Sequence, residues 1–141
     1  MDPLQAMHDR EAAFRTLLVG PGVEALGRRF LETTRLPSGP VTAVGPSVIG
    51  GQQVDLVAID RSASGRRTVR AIGEVKSGER VGRAHLERLE AIRSSLHDAS
   101  DAVLVLASLD GFSIDLARLA RSRSDVELVD AERLLEWSAP S

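Results

Sequence analysis

Residues 54–76 run VDLVAID (54–60), RSASGRR (61–67) and TVRAIGEVK (68–76). Two dense β-type runs flank a short polar turn, the pattern of a β-hairpin. Side chains alternate along a strand, so Ile72, Glu74 and Lys76 are expected on one face and Val69, Ala71, Gly73 and Val75 on the other. Glu74 and Lys76 are then neighbours, two strand rises or about 7 Å apart. Placing Arg61 opposite Arg66 around the turn puts Asp55 opposite Ile72. Opposed residues share a face, so Asp55 projects beside Glu74 at a diagonal step of roughly 7–8 Å. A one-residue slip would send Asp55 to the opposite face.

Outward from the hairpin, VTAVGPSVI (41–49) is a strand candidate interrupted by Gly45 and Pro46, which suits an edge or a bulge. Upstream, Val23, Leu26, Phe30 and Leu31 recur at helical spacing over about 23–36, and Leu36-Pro37-Ser38-Gly39-Pro40 ends that helix. Downstream, Val81, Leu86, Leu89, Ile92 and Leu96 fit an amphipathic helix over about 82–97. Arg83, Glu87, Arg88, Glu90 and Arg93 are expected on its outer side. DAVLVLAS (101–108) is a continuous apolar run, the mark of a strand covered on both faces. A helix over about 113–122, the strand VELVD (126–130) and a helix over 131–138 complete the chain, with Asp130 as N-cap of the last. The order α-βββ-α-β-α-β-α predicts an α/β domain with a mixed central sheet flanked by helices. Residues 1–20 read as an N-terminal arm or truncated lead-in, and 21–141 as one α/β domain.

Of the 18 basic residues, Lys76 is the single lysine. An ammonium is a compact charge whose pKa responds to burial and neighbours, whereas a guanidinium stays protonated. Two carboxylates beside one amine suit phosphodiester chemistry. Mg²⁺ prefers oxygen ligands and retains waters, so Asp55, Glu74 and a backbone carbonyl are a sufficient protein share. Each residue also has a purely structural reading. Glu74 and Lys76 could be an ion pair on an edge strand worth about 0–1 kcal/mol, and Asp55 a polar residue at a strand start. Asp60 reads as a strand-end turn residue. Arg66, Arg67, Arg70, Arg80 and Arg83 flank the hairpin and could meet phosphates, or form a solvated face with Glu79 and Glu87. His8, His85 and His97 have no metal-like spacing and read as solvated.

The pattern VDLVAID…GEVK resembles the D…(D/E)-x-K core of the restriction-endonuclease-like superfamily, PD-(D/E)xK, whose core order is α-βββ-α-β. GPGVEALGRRFLE, VDLVAID and GEVKSGERVGRAHLERLEAIRSSL together resemble the C-terminal nuclease-like domain of archaeal-type ATP-binding proteins, found in archaea and bacteria. The likeness spans about residues 20–137. It implies Asp55 and Glu74 as ligands of Mg²⁺ or Mn²⁺, Lys76 as the residue that holds the attacking water, and Glu24 in a supporting or second-metal role. Glu24 otherwise reads as a first-turn glutamate favoured by the helix dipole. Residue 54 is valine where the superfamily's name has proline. The implied function is a metal-dependent nuclease acting on DNA. The alternative is a silent module of the same fold that docks an ATPase or another protein partner. No G-x-x-x-x-G-K-[ST] phosphate loop occurs, so the chain reads as a cut-out domain or a stand-alone relative.

Composition narrows the classes. With 141 residues, 43% hydrophobic and 27% charged, the chain can bury a core without staples. It has no cysteine, which excludes disulfides and thiolate metal sites and makes the cytoplasm the expected compartment. No apolar run approaches the roughly 20 residues that span a bilayer. Net charge is −2, low for a self-sufficient nucleic-acid binder. Aromatics are few, which disfavours stacking platforms for single strands.

Overall fold

The computed structural model describes residues 28–29, 31–32, 36–61 and 64–138, except for the side chains of 135–138. The lead-in over 1–20 and Glu24 lie outside the described residues. Of the first expected helix, Arg28, Arg29, Leu31 and Glu32 are described and helical. The elements that follow are β1 (Ala43–Ile49), β2 (Gln52–Arg61), β3 (Arg67–Lys76), α1 (Arg83–Ser94), β4 (Val103–Ser108), α2 (Ile114–Arg121), β5 (Val126–Asp130) and α3 (Ala131–Ser138). They form a five-stranded sheet in the order β1-β2-β3-β4-β5. β1, β2 and β3 pair antiparallel, and β3-β4 and β4-β5 pair parallel. The expected mixed sheet flanked by helices is therefore present.

β4 shows why the apolar run was legible. All six of its residues are buried. Val103, Val105 and Ala107 pack on one face with Leu56, Ala58, Ala71, Val129, Leu134 of α3 and Leu31. Leu104 and Leu106 pack on the other with Ile72, Leu86, Leu89 and Ile92 of α1 and Leu116 of α2. Alternation along one strand thus feeds two cores, as expected for a strand with parallel neighbours on both sides. The helix ends follow local chemistry. Ser113 Oγ accepts the Leu116 N–H (3.2 Å) at the start of α2. Asp130 Oδ1 accepts the Arg133 N–H (2.9 Å) and so caps α3, as predicted. His85, expected in solvent, is half-buried, and its Nδ1 accepts the Gly82 N–H (3.1 Å) at the start of α1.

The hairpin register differs from the simple expectation in an instructive way. Arg61 lies opposite Arg67, not Arg66, a one-residue slip at the turn. Left uncorrected, that slip would turn Asp55 away from Glu74. A β-bulge intervenes, because Ile59 opposes Val69 while Ala58 opposes Ala71, leaving Arg70 as the extra residue. Beyond the bulge Val57 opposes Ile72 and Leu56 opposes Gly73, where the pairing ends; Asp55 reaches β3 through its side chain, which accepts the Val75 N–H. Asp55 is not opposite Ile72. Val69 is likewise corrected: it packs with Ile72, not with Ala71. Arg70 holds the bulge in place. Its guanidinium donates to Asp60 Oδ2 (3.0 Å), Ser38 O (2.5 Å) and Pro40 O (3.3 Å).

A second irregularity acts on β2 itself. Gly45 opposes Val57 but Ser47 opposes Val54, so Asp55 and Leu56 together face only Pro46. Proline has no N–H to give the ladder, so the edge strand bulges there. Asp55 sits at that bulge.

Candidate functional site

The parallel strands end in line: Lys76 pairs with Ser108, and Ser108 with Asp130. In open α/β sheets, ligands bind in the crevice outside these carboxyl ends. Two loops close over this end and are laced together. Gly78 N–H donates to Asp110 Oδ2 (2.5 Å), Val81 N–H to Gly111 O (3.0 Å) and Ser113 N–H to Val81 O (2.9 Å). The wholly buried Ser108 accepts the Asp110 N–H at 3.2 Å.

Asp55, Glu74 and Lys76 meet here. Asp55 Oδ2 accepts the Val75 N–H (3.0 Å), so the aspartate fastens the end of β2 to β3 beside Glu74. That bond uses one carboxylate oxygen and leaves the other. Glu74 is 6% exposed. Its Oε1 lies 2.6 Å from Arg88 Nη1 and 3.9 Å from Lys76 Nζ. Its Oε2 is buried and has no hydrogen-bond partner. An unsatisfied buried acceptor costs about 1–3 kcal/mol, more when it is charged. Glu74 Oε2 is thus the buried side-chain atom at this end that the protein's own groups leave unsatisfied.

Arg88 is the residue that sequence reading misplaced. It is half-buried rather than on the outer face. It crosses from α1 to the sheet, giving Nη1 to Glu74 and Nη2 to Gln53 O (2.7 Å). Its helical position held the clue: it stands seven residues after Val81 and four before Ile92, within the apolar stripe.

Three of the arginines expected to flank this site do not. Arg66 and Arg67 lie at the turn end of the hairpin, and Arg70 at the bulge. Nine strand rises separate Arg67 from Lys76, about 30 Å. Arg67 pairs with Asp98 (3.4 Å), and Arg70 braces the 38–40 turn. Arg80 and Arg83, both exposed, remain near the carboxyl end, in the loop after β3 and at the start of α1. Among the described residues no group of three or more Asp, Glu or His side chains converges as a metal cage. A cation here would rest on two carboxylates, a backbone carbonyl and water, a set that fits Mg²⁺.

The opposite end of the strands carries a cleft of about 420 Å³, lined by Arg93, Asp101, Ser124 and Asp125 among others. Arg93 and Asp125 in it are paired. Asp125 receives Arg123 through Nη2 (2.7 Å) and Nε (2.9 Å) and Arg93 through Nη1 (3.0 Å). The Arg123 guanidinium holds the Asp125 carboxyl well below the usual carboxylate range, against the opposing effect of burial, and Asp125 in turn raises Arg123. Volume favours this cleft. Chemistry favours the carboxyl end.

Comparison of the chain with protein families, curated proteins and solved structures returned no match. Among the described residues no helix is long and apolar enough to cross a membrane.

Proposed function

We propose that the domain is a Mg²⁺- or Mn²⁺-dependent nuclease acting on DNA phosphodiesters. The supporting observation is the buried, partnerless Oε2 of Glu74, whose Oε1 lies 3.9 Å from Lys76 Nζ at the carboxyl end of the parallel strands. Asp55 and Glu74 are the residues that would hold the cation. When bound, it would lower the pKa of a coordinated water and offset charge on the phosphoryl oxygens. The chain's own groups do the rest. Lys76, about a third exposed, donates hydrogen bonds to the attacking water and keeps it against the phosphorus. Asp55, through Val75 N–H, fixes the end of β2 so that the two carboxylates stay together. Glu24 enters only through the resemblance, as a supporting carboxylate.

Plasmid nicking in Mg²⁺ or Mn²⁺ tests this reading. Lys76→Ala is expected to slow nicking at least about 100-fold, the lower range for loss of one preorganised hydrogen-bond donor at the reacting atoms. Nicking unchanged in Lys76→Ala would overturn it.

One observation favours the rival, a silent module that docks an ATPase or another protein. Arg88 already neutralises Glu74 at 2.6 Å. In that case neither Mn²⁺ binding nor nicking would be found in the folded wild type.

A further inference from the structure

The four charged groups gathered around Glu74 balance. Asp55 and Glu74 carry two negative charges, and Lys76 and Arg88 two positive ones. A divalent cation added to that set leaves it with two uncompensated positive charges around a buried carboxylate, a repulsion that water only partly screens. It must also compete for Glu74 with a guanidinium held at 2.6 Å. The same cation arriving with a phosphate meets neither obstacle, because the oxyanion restores neutrality and gives Arg88 a new partner. Arg88 is built for that exchange. It has two anchors, Glu74 Oε1 through Nη1 and Gln53 O through Nη2 (2.7 Å). Releasing the first leaves the second as a pivot that keeps the guanidinium at the rim of the site. Its side chain is 32% exposed, with the Gln53 bond on the exposed side and the Glu74 bond part-buried, so a phosphate oxygen approaching from solvent can reach the guanidinium. Arginine binds phosphate through paired N–H donors, and that is the geometry required.

We infer that Arg88 is an internal counter-ion that gates the site: it keeps the divalent cation out until a phosphate group arrives to receive it, so that cation and phosphate bind as a coupled pair. The inference rests on the metal reading of Asp55 and Glu74. It assigns Arg88 a positioning role that a merely structural arginine would lack.

The test is Mn²⁺ binding followed by the electron paramagnetic resonance of the free ion, with and without inorganic phosphate, on the full chain. Wild type is expected to bind Mn²⁺ weakly alone and at least about tenfold more tightly with phosphate, within the usual range of coupling between two ligands. Arg88→Gln removes the charge but retains a donor. It is expected to bind Mn²⁺ alone at least about tenfold more tightly than wild type and to lose most of the phosphate effect. Arg88→Lys keeps the charge, so its binding of Mn²⁺ alone should stay weak. Melting curves of each variant establish that it is folded. If Arg88→Gln binds Mn²⁺ no better than wild type while Asp55→Asn abolishes binding, the gating role is wrong and the metal site stands. Arg88→Lys binding as tightly as Arg88→Gln would also overturn the gate, since charge is the claimed obstacle. Asp55→Asn binding Mn²⁺ as wild type does, or wild type binding none even with phosphate, would overturn the metal reading itself.

Discussion

The two ends of the parallel strands carry similar residues in opposite conditions. At the amino end Arg93, Asp125, Arg123 and Glu90 form a chain of ion pairs between 2.7 and 3.4 Å. At the carboxyl end Glu74 is more deeply buried than any of these, yet one of its oxygens has nothing to bond. Charge clusters that satisfy themselves are scaffolding. A cluster that buries an unsatisfied charge gives up stability, and the proposed cation is what would recover it.

The contrast can be broken experimentally, and the largest effect should come from the carboxyl end. Glu74→Gln is expected to lower nicking at least about 100-fold, while the melting temperature stays level or rises because a buried charge has been removed. A loss of about 3 kcal/mol or more, the usual result of breaking a structural buried ion pair, would instead make Glu74 scaffolding. Next comes Gly73, in the strand both ends share. A Cβ there would lie 3.1 Å from Val105 O and 3.2 Å from Val105 Cβ. Gly73→Ala should therefore cost about 1–3 kcal/mol in urea denaturation by forcing β3 from β4.

At the amino end the expected pattern reverses. Asp125→Asn should leave nicking unchanged and cost about 1 kcal/mol, a modest figure because the carboxylate is a third exposed and water screens the pairs. The smallest effect is on pH dependence. The folded Asp125 carboxyl ionises at lower pH than the unfolded one, so its contribution is complete above the unfolded value, near pH 4. It is lost as pH falls through the folded value. Acid melting curves of wild type and Asp125→Asn should converge as pH drops below about 4; a gap that widens there would contradict the pairing.

Particular residues show how far the sequence reached. β4 was legible because six consecutive apolar residues admit few alternatives to a strand covered on both sides. The neighbourhood of Glu74 and Lys76 followed from strand alternation alone. The approach of Asp55 was expected for a register that is not the one present. The hairpin turn slips by one residue, and the Arg70 bulge offsets that slip as far as Leu56, where the pairing ends. This bulge depends on tertiary bracing, Arg70 against Ser38, Pro40 and Asp60, and no local pattern announces it, whereas Pro46 signals the one in β1. Arg88 was hidden for a related reason. On a helix an arginine ordinarily reads as solvent-facing, and its long stem lets it enter an apolar stripe while its head finds a buried acid.

The most direct test is a crystal soaked with Mn²⁺ and inorganic phosphate, examined by anomalous scattering. A Mn²⁺ peak within coordination distance of both an Asp55 oxygen and Glu74 Oε2 is predicted, with Arg88 turned from Glu74 toward the phosphate. A peak only in the cleft beside Asp125, or none in crystals whose Asp55 and Glu74 remain as described, would contradict the assignment.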